Sequence, residues 1–132
     1  MATQTVTFEY DPEGNILFAE DDYEIANEAD VDAFLGLYEA RLKTIGAKPY
    51  LVVRIDGLLV GAKVDEYYGR RAKEVVERNI LGFARYGTNA VSRMSVRTAA
   101  LKSGFEINIY DSRERAIQAV EKMKLRPPAM GK

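Results

Sequence analysis

The sequence predicts an α/β fold in the order β-β-α-β-α-β-α-β-α, a mixed, mostly parallel five-stranded sheet with helices packed on it. Three observations predict it. Thr5 to Ala19 alternates around a turn and reads as an antiparallel hairpin; Tyr50-Leu51-Val52-Val53 is an uninterrupted apolar run, as in a strand covered on both faces. Amphipathic helical periodicities then separate the later β-rich runs, so those strands must be joined by crossovers and lie parallel.

In chain order, Val6, Phe8 and Tyr10 share one side of the first strand, with Thr5, Thr7 and Glu9 on the other. Asp11-Pro12-Glu13-Gly14-Asn15 is turn chemistry, and Ile16 to Ala19 forms the second strand. The polar segment Glu20 to Asp30 leads into a helix with Val31, Phe34, Leu35, Tyr38, Leu42 and Ile45 on one face and Gly46 as its C-terminal cap. The central strand follows Pro49 and is expected to end near Asp56. Asp65 is the expected cap of a second helix that buries Tyr68, Ala72, Val75 and Val76, with Glu66–Arg70 and Glu74–Arg78 pairs outside. Ile80 to Tyr86 reads as a strand, and Gly87-Thr88-Asn89 turns into a third helix whose inner face is expected to carry Val91, Met94, Thr98 and Leu101, with Gly104 ending it. Phe105 to Tyr110 alternates as the last strand. Asp111 and Glu114 have capping-box spacing before a helix with the inner stripe Ala116, Ile117, Val120 and Met123. Pro127-Pro128 forbids further helix, so one domain over 1–125 and a flexible tail over 126–132 are expected.

A length of 132 residues, 47% of them hydrophobic, suits one core. There is neither cysteine nor histidine, which excludes disulfides, thiolate or imidazole metal sites, cysteine nucleophiles and serine–histidine triads. The start has no charged segment followed by an apolar run, and no stretch reaches the length of a membrane span, so a cytoplasmic protein is expected. The formal net charge of −1 conceals an asymmetry: the first 40 residues carry eleven acids and no base, leaving nine acids and nineteen bases for the rest. Such a division suits either a basic surface for an anion or mutual neutralisation within one domain or between subunits.

Ligands of open α/β sheets gather where strands exit, which directs attention to the segments after Asp56 and Tyr86. Gly57-Leu58-Leu59-Val60-Gly61-Ala62-Lys63 resembles a phosphate loop superficially, yet the glycine spacing is short and no Ser or Thr follows Lys63. Thr88, Asn89 and Arg93 offer an anion site at a helix start, against the plainer reading of a cap followed by a solvated basic face. The basic helices lack interleaved aromatic residues, which argues against nucleic acid. Paired carboxylates, Asp21-Asp22 and Asp56/Asp65, come with no metal or acid–base motif. An enzyme using a carboxylate and a tyrosine stays the third reading.

YLVVRID at 50–56 as central strand, ILGFARYG at 80–87 as the next, and FEINIYDSRERAIQAV at 105–120 as last strand and helix carry a resemblance covering nearly the whole chain. In these and in its order of elements the chain resembles the STAS or SpoIIAA-like superfamily of anti-sigma-factor-antagonist domains. The resemblance implies a sheet with helices, no intrinsic catalysis, and a role in protein–protein regulation or small-ligand sensing. Phosphorylation-switched members hold a serine between the central strand and second helix; Asp56 to Asp65 here contains no Ser, Thr or Tyr. The expectation is therefore a non-enzymatic interaction module without that switch, homodimeric or bound to a protein partner, using the second-helix surface and the residues Asp56, Gly57, Leu58, Leu59, Gly61 and Lys63. The alternative is a sensor of an apolar or anionic small molecule around Leu58, Leu59, Thr88, Asn89 and Arg93; no cofactor or metal is expected in either case. Leu58-Leu59-Val60, three apolar residues in an expected loop, require a cover of some kind.

Overall fold

A computed structural model describes residues 4–126, so the expected tail, Arg126 aside, lies outside the described residues. The order is β1 (Thr5–Asp11), β2 (Ile16–Ile25), α1 (Glu28–Ile45), β3 (Tyr50–Val60), α2 (Asp65–Asn79), β4 (Gly82–Tyr86), α3 (Ala90–Ser103), β5 (Ile109–Tyr110) and α4 (Arg113–Leu125). The strands lie in sequence order in one five-stranded sheet, β1–β2 antiparallel and the rest parallel, as the sequence predicts. Among the described residues no helix is long and apolar enough to cross a membrane.

That order dictates where the helices go. Crossovers between parallel strands are right-handed, and three successive ones stepping in the same direction along a sheet must all cover the same face. The core on that face joins Leu17, Ala19, Tyr23 and Ile25 of β2, Leu51, Val53, Ile55, Leu58 and Val60 of β3 and Phe83 of β4 to residues of α1, α2 and α3. Helix α4, following the last strand, covers the opposite face, where Ala116 and Val120 pack on Ile16, Val52 and Ala84. Leu51 to Ile55 is thus enclosed between helices on both sides, apart from the exposed Arg54. One helix cannot cover five strands, and on α4's side Thr5, Thr7 and Glu9 of β1 and Glu20 of β2 remain exposed.

Strands β2 and β3 are longer than expected. Beyond Ala19, residues Asp21, Tyr23 and Ile25 keep turning inward while Glu20 and Glu24 turn to the open face, so the acidic run is a half-exposed strand. Residues 57–60 of β3 pair with 22–25 of β2 after a bulge between Glu20 and Asp22. This makes Gly57–Val60 a strand, and supplies the cover that the apolar triplet needs: Leu58 and Val60 sit in the core. A Cβ on Gly57 would lie 2.7 Å from the carbonyl oxygen of Asp21, which restricts this position to glycine.

Helix α1 is capped by Asn27, whose side chain accepts from the Asp30 amide, and ends at Gly46 in the left-handed conformation. Asp65 does not cap α2: Val64 occupies that position without a side-chain bond, and Asp65 is buried with both carboxylate oxygens 3.0 Å from Lys102 Nζ. Besides Asp65–Lys102, ion pairs on α2 are made by Arg71, to Glu74 and to Asp32 of α1, and not by the expected i,i+4 partners. Ser112, one residue after the expected Asp111, caps α4. Strand β5 shrinks to Ile109–Tyr110 because Arg85 Nη1 bonds the carbonyls of Glu106 and Ile107, and Asn108 takes φ 42°, replacing ladder bonds there.

The orientation of α3 is opposite to the one its hydrophobic bulk suggests. Its buried face is Ser92, Val96, Ala99 and Ala100, whereas Val91, Met94 and Leu101 are 65%, 69% and 63% exposed. The small residues face inward because α2 comes close: a Cβ on Gly69 would lie 2.6 Å from the Ala99 carbonyl oxygen.

Candidate functional site

Two constellations lie near the strand exits. The first contains most of the sequence-selected residues. Asp56 stands in the bulge of β3, and its Oδ1 accepts the Thr88 and Asn89 amides at 2.7 and 2.9 Å, while Oδ2 accepts Arg54 Nε at 3.1 Å. Asn89 caps α3 through the Ser92 amide at 2.9 Å, and Ser92 Oγ donates to the Asp56 carbonyl at 3.0 Å. The amides expected to hold an external anion are therefore bound to the chain's own carboxylate. Partial burial alone would raise the Asp56 pKa, but hydrogen bonds from Asn89, Arg54 and Thr88 outweigh it and hold the carboxyl below its ordinary value. Arg93 turns away from this site, with Nη1 bonded to the carbonyls of Gly87 and Tyr110 at 2.7 and 3.1 Å and to Asp111 at 3.4 Å.

Asp56→Ala is accordingly expected to leave two helix-start amides without their partner and lower the unfolding free energy by about 1–3 kcal/mol. Asp56→Asn, which retains one acceptor oxygen, should lose less. Because the folded-state pKa is depressed, the ionised carboxylate's contribution is present above the unfolded carboxylate pKa and is lost as pH falls through the folded one. Urea titrations of both variants at pH 7 and pH 3 check this; equal losses at the two pH values would contradict it.

The remaining sequence-selected residues divide. Leu58 is buried, Leu59 points outward beside Val91, Asn89 and Glu24 in a shallow recess, and Gly61 makes the turn out of β3 with its amide on the Ile25 carbonyl at 2.8 Å. Lys63 is exposed in the turn before α2. Leu59 thus continues the apolar stripe of α3, which sequence reading had placed inside.

The second constellation was not selected from the sequence. On the three-helix face, Asp21 of β2, Tyr38 of α1, Tyr68 of α2 and Arg85 of β4 line one cavity of about 50 Å³ whose other walls include Phe34, Leu35, Phe83 and Phe105. Asp21 and Arg85 are only 6% and 5% exposed. Tyr38 Oη donates to Asp21 Oδ1 at 2.5 Å. Burial pushes the Asp21 carboxyl up to about 7 against the opposing effects of the Tyr38 hydrogen bond and the Arg85 charge. Burial also raises the Tyr68 hydroxyl to about 12, raises Tyr38 well above its ordinary value with help from the Asp21 charge, and lowers the Arg85 guanidinium. The guanidinium lies against the touching pair of rings, 4.7 Å from the Phe83 centroid and 5.1 Å from that of Phe105, which are themselves 5.0 Å apart. The available signal was parity: Asp21 follows Leu17 and Ala19 at period two, and Arg85 follows Phe83.

Among the described residues no cluster of three or more acidic side chains is placed to hold a metal ion. Comparison with models of protein families and with curated proteins finds no match.

Proposed function

We propose that the chain is a non-enzymatic, cytoplasmic interaction module of the STAS/SpoIIAA-like type, and that its first partner is a second copy of itself, docked along the outer face of α3. The observation that carries this reading is the outward apolar stripe of Val91, Met94 and Leu101, extended at its start by Leu59. A solvated helix places polar residues on such a face, and contiguous exposed apolar surface marks contact sites. Val91 to Leu101 spans about 15 Å of helix, enough for one helix–helix contact.

Charge supports a twofold, antiparallel arrangement. Glu24 lies beside Leu59 and Val91 at the start of the stripe, whereas exposed Arg97 lies toward its end. Antiparallel pairing brings the acidic end of one stripe to the basic end of the other, twice by symmetry. Within one chain the acidic first part and basic remainder are joined by the ion pairs Glu20–Arg54 at 4.0 Å and Asp32–Arg71 at 3.5 Å.

Light scattering and sedimentation at protein concentrations up to about 100 µM, enough to populate a weak complex, test the proposal. The wild-type chain is expected to dimerise, and Met94→Asp to weaken association about tenfold or more without changing the circular dichroism. Leu81→Asp, an exposed apolar position outside the stripe, serves as the control and should leave dimerisation intact. A monomeric wild type, or equal effects of the two substitutions, would overturn this reading.

A further inference from the structure

A charged side chain closed off from water normally faces an opposite charge. Arg85 lacks a contact of that kind: among the described residues it makes no ion pair within 4.0 Å, and its side-chain hydrogen bonds are two from Nη1 to backbone carbonyls. Asp21, a buried carboxylate in the same cavity, accepts from the Tyr38 hydroxyl and lies beyond 4.0 Å from the guanidinium. In the same cavity Tyr68, 5% exposed, has a hydroxyl that makes no hydrogen bond among the described residues. Arg85, on which the charge of Asp21 acts only from beyond ion-pair distance, and Tyr68, whose hydroxyl has no hydrogen bond among the described residues, therefore line one apolar-walled space.

We infer that this cavity is a binding site for a short-chain monocarboxylate, whose carboxylate pairs with Arg85 and accepts from Tyr68 while its hydrocarbon part packs among Phe34, Leu35 and Val75. Shape and chemistry agree with that class. A volume of about 50 Å³ exceeds the roughly 10–15 Å³ that one water requires and falls far below the roughly 300 Å³ of drug-sized sites, so the occupant has a few carbons. A guanidinium is the side chain best matched to a carboxylate, which it can grip with two parallel bonds. Water could satisfy the Tyr68 hydroxyl but would bring no negative charge to Arg85. Burial holds much of the Asp21 population neutral near pH 7, so this residue competes weakly for the same cation and does not repel the ligand as a full charge would.

Sodium butyrate, with 1-butanol as the uncharged comparison, tests the inference on the full chain by calorimetry and by the aromatic chemical shifts of Phe83 and Phe105. Butyrate is expected to bind saturably at one site per chain, shift those two rings and bind at least tenfold tighter than butanol. Tyr68→Phe keeps the ring packing and removes only the hydroxyl; it should weaken butyrate about tenfold, the worth of one hydrogen bond to a charged group. Arg85→Met should abolish binding, and if that variant does not fold, the Tyr68→Phe result decides. Absence of saturable butyrate binding, equal affinity for butanol, or undiminished affinity in Tyr68→Phe would each overturn the proposal.

Discussion

Asp21→Asn is expected to stabilise the protein by roughly 4 kcal/mol above pH 8 and to have little effect below pH 3. In the fold the carboxyl titrates near 7, against 3.8 for an unperturbed aspartate. Below 3.8 it is neutral in both states and costs nothing. Between 3.8 and about 7 the unfolded chain releases the proton while the folded chain keeps it, so stability falls as pH rises through this window. Above it both states are ionised and the loss is complete. Tyr38 from α1, Tyr68 from α2 and Arg85 from β4 all act on the group, yet burial outweighs the stabilising ones among them. Asparagine keeps an acceptor for Tyr38 Oη and has no proton to lose. Urea titrations of wild type and variant from pH 3 to pH 9 should diverge steadily between pH 4 and 7; parallel curves would show that the buried carboxyl does not carry this cost.

Gly69→Ala is the second large effect, and it runs against helix propensity. Alanine in a helix interior gains roughly 1 kcal/mol over glycine. At Gly36, where an added Cβ meets nothing within 4 Å, that gain should be realised as a rise of about 0.5–1 kcal/mol. At Gly69 the same methyl would meet Ser103 Oγ and stand 2.6 Å from the Ala99 carbonyl oxygen, backbone that can yield only if α2 and α3 separate. Overpacking costs about 1–3 kcal/mol, and contact this short with backbone belongs at the upper end, so a net loss of about 2 kcal/mol is expected. Opposite shifts of the urea midpoint for the two substitutions would confirm that the distance between helices, and not glycine content, sets the sign.

The places where periodicity misleads are the places with unusual chemistry. Helix boundaries and the inward faces of α1 and α4 follow apolar spacing because those helices bury their bulk, as Phe34 and Tyr38 or Ala116 and Val120 do. Helix α3 carries its bulk outside, since only Ser92, Val96, Ala99 and Ala100 are small enough for the narrow gap to α2. Bulk alone pointed to the wrong face there. Asp21 was hidden in an acidic run that reads as a polar connection, and Arg85 inside a strand that reads as apolar. Both sit on the inward parity of their strands, but parity names a face without saying that four polar groups from four elements converge on it. Asp56, Thr88 and Asn89 were legible as a cluster of strand exit and helix start. That the carboxylate fills the helix start itself depends on β3 passing close to α3, a tertiary fact with no local signature.

The sequential order of the strands also bears on how the molecule is made. Each strand after the first lies beside its immediate predecessor in the chain, so no β element has to be threaded between two already joined. Ladder growth can keep pace with synthesis from the amino end, and search distances never exceed one hairpin or one crossover helix. Helix α4 alone must wait for a completed surface, because Ile16, Val52 and Ala84 beneath it come from three different strands. Until it arrives that side of the nascent sheet is open and greasy, which makes the last turn-and-helix the step at which truncated chains should aggregate.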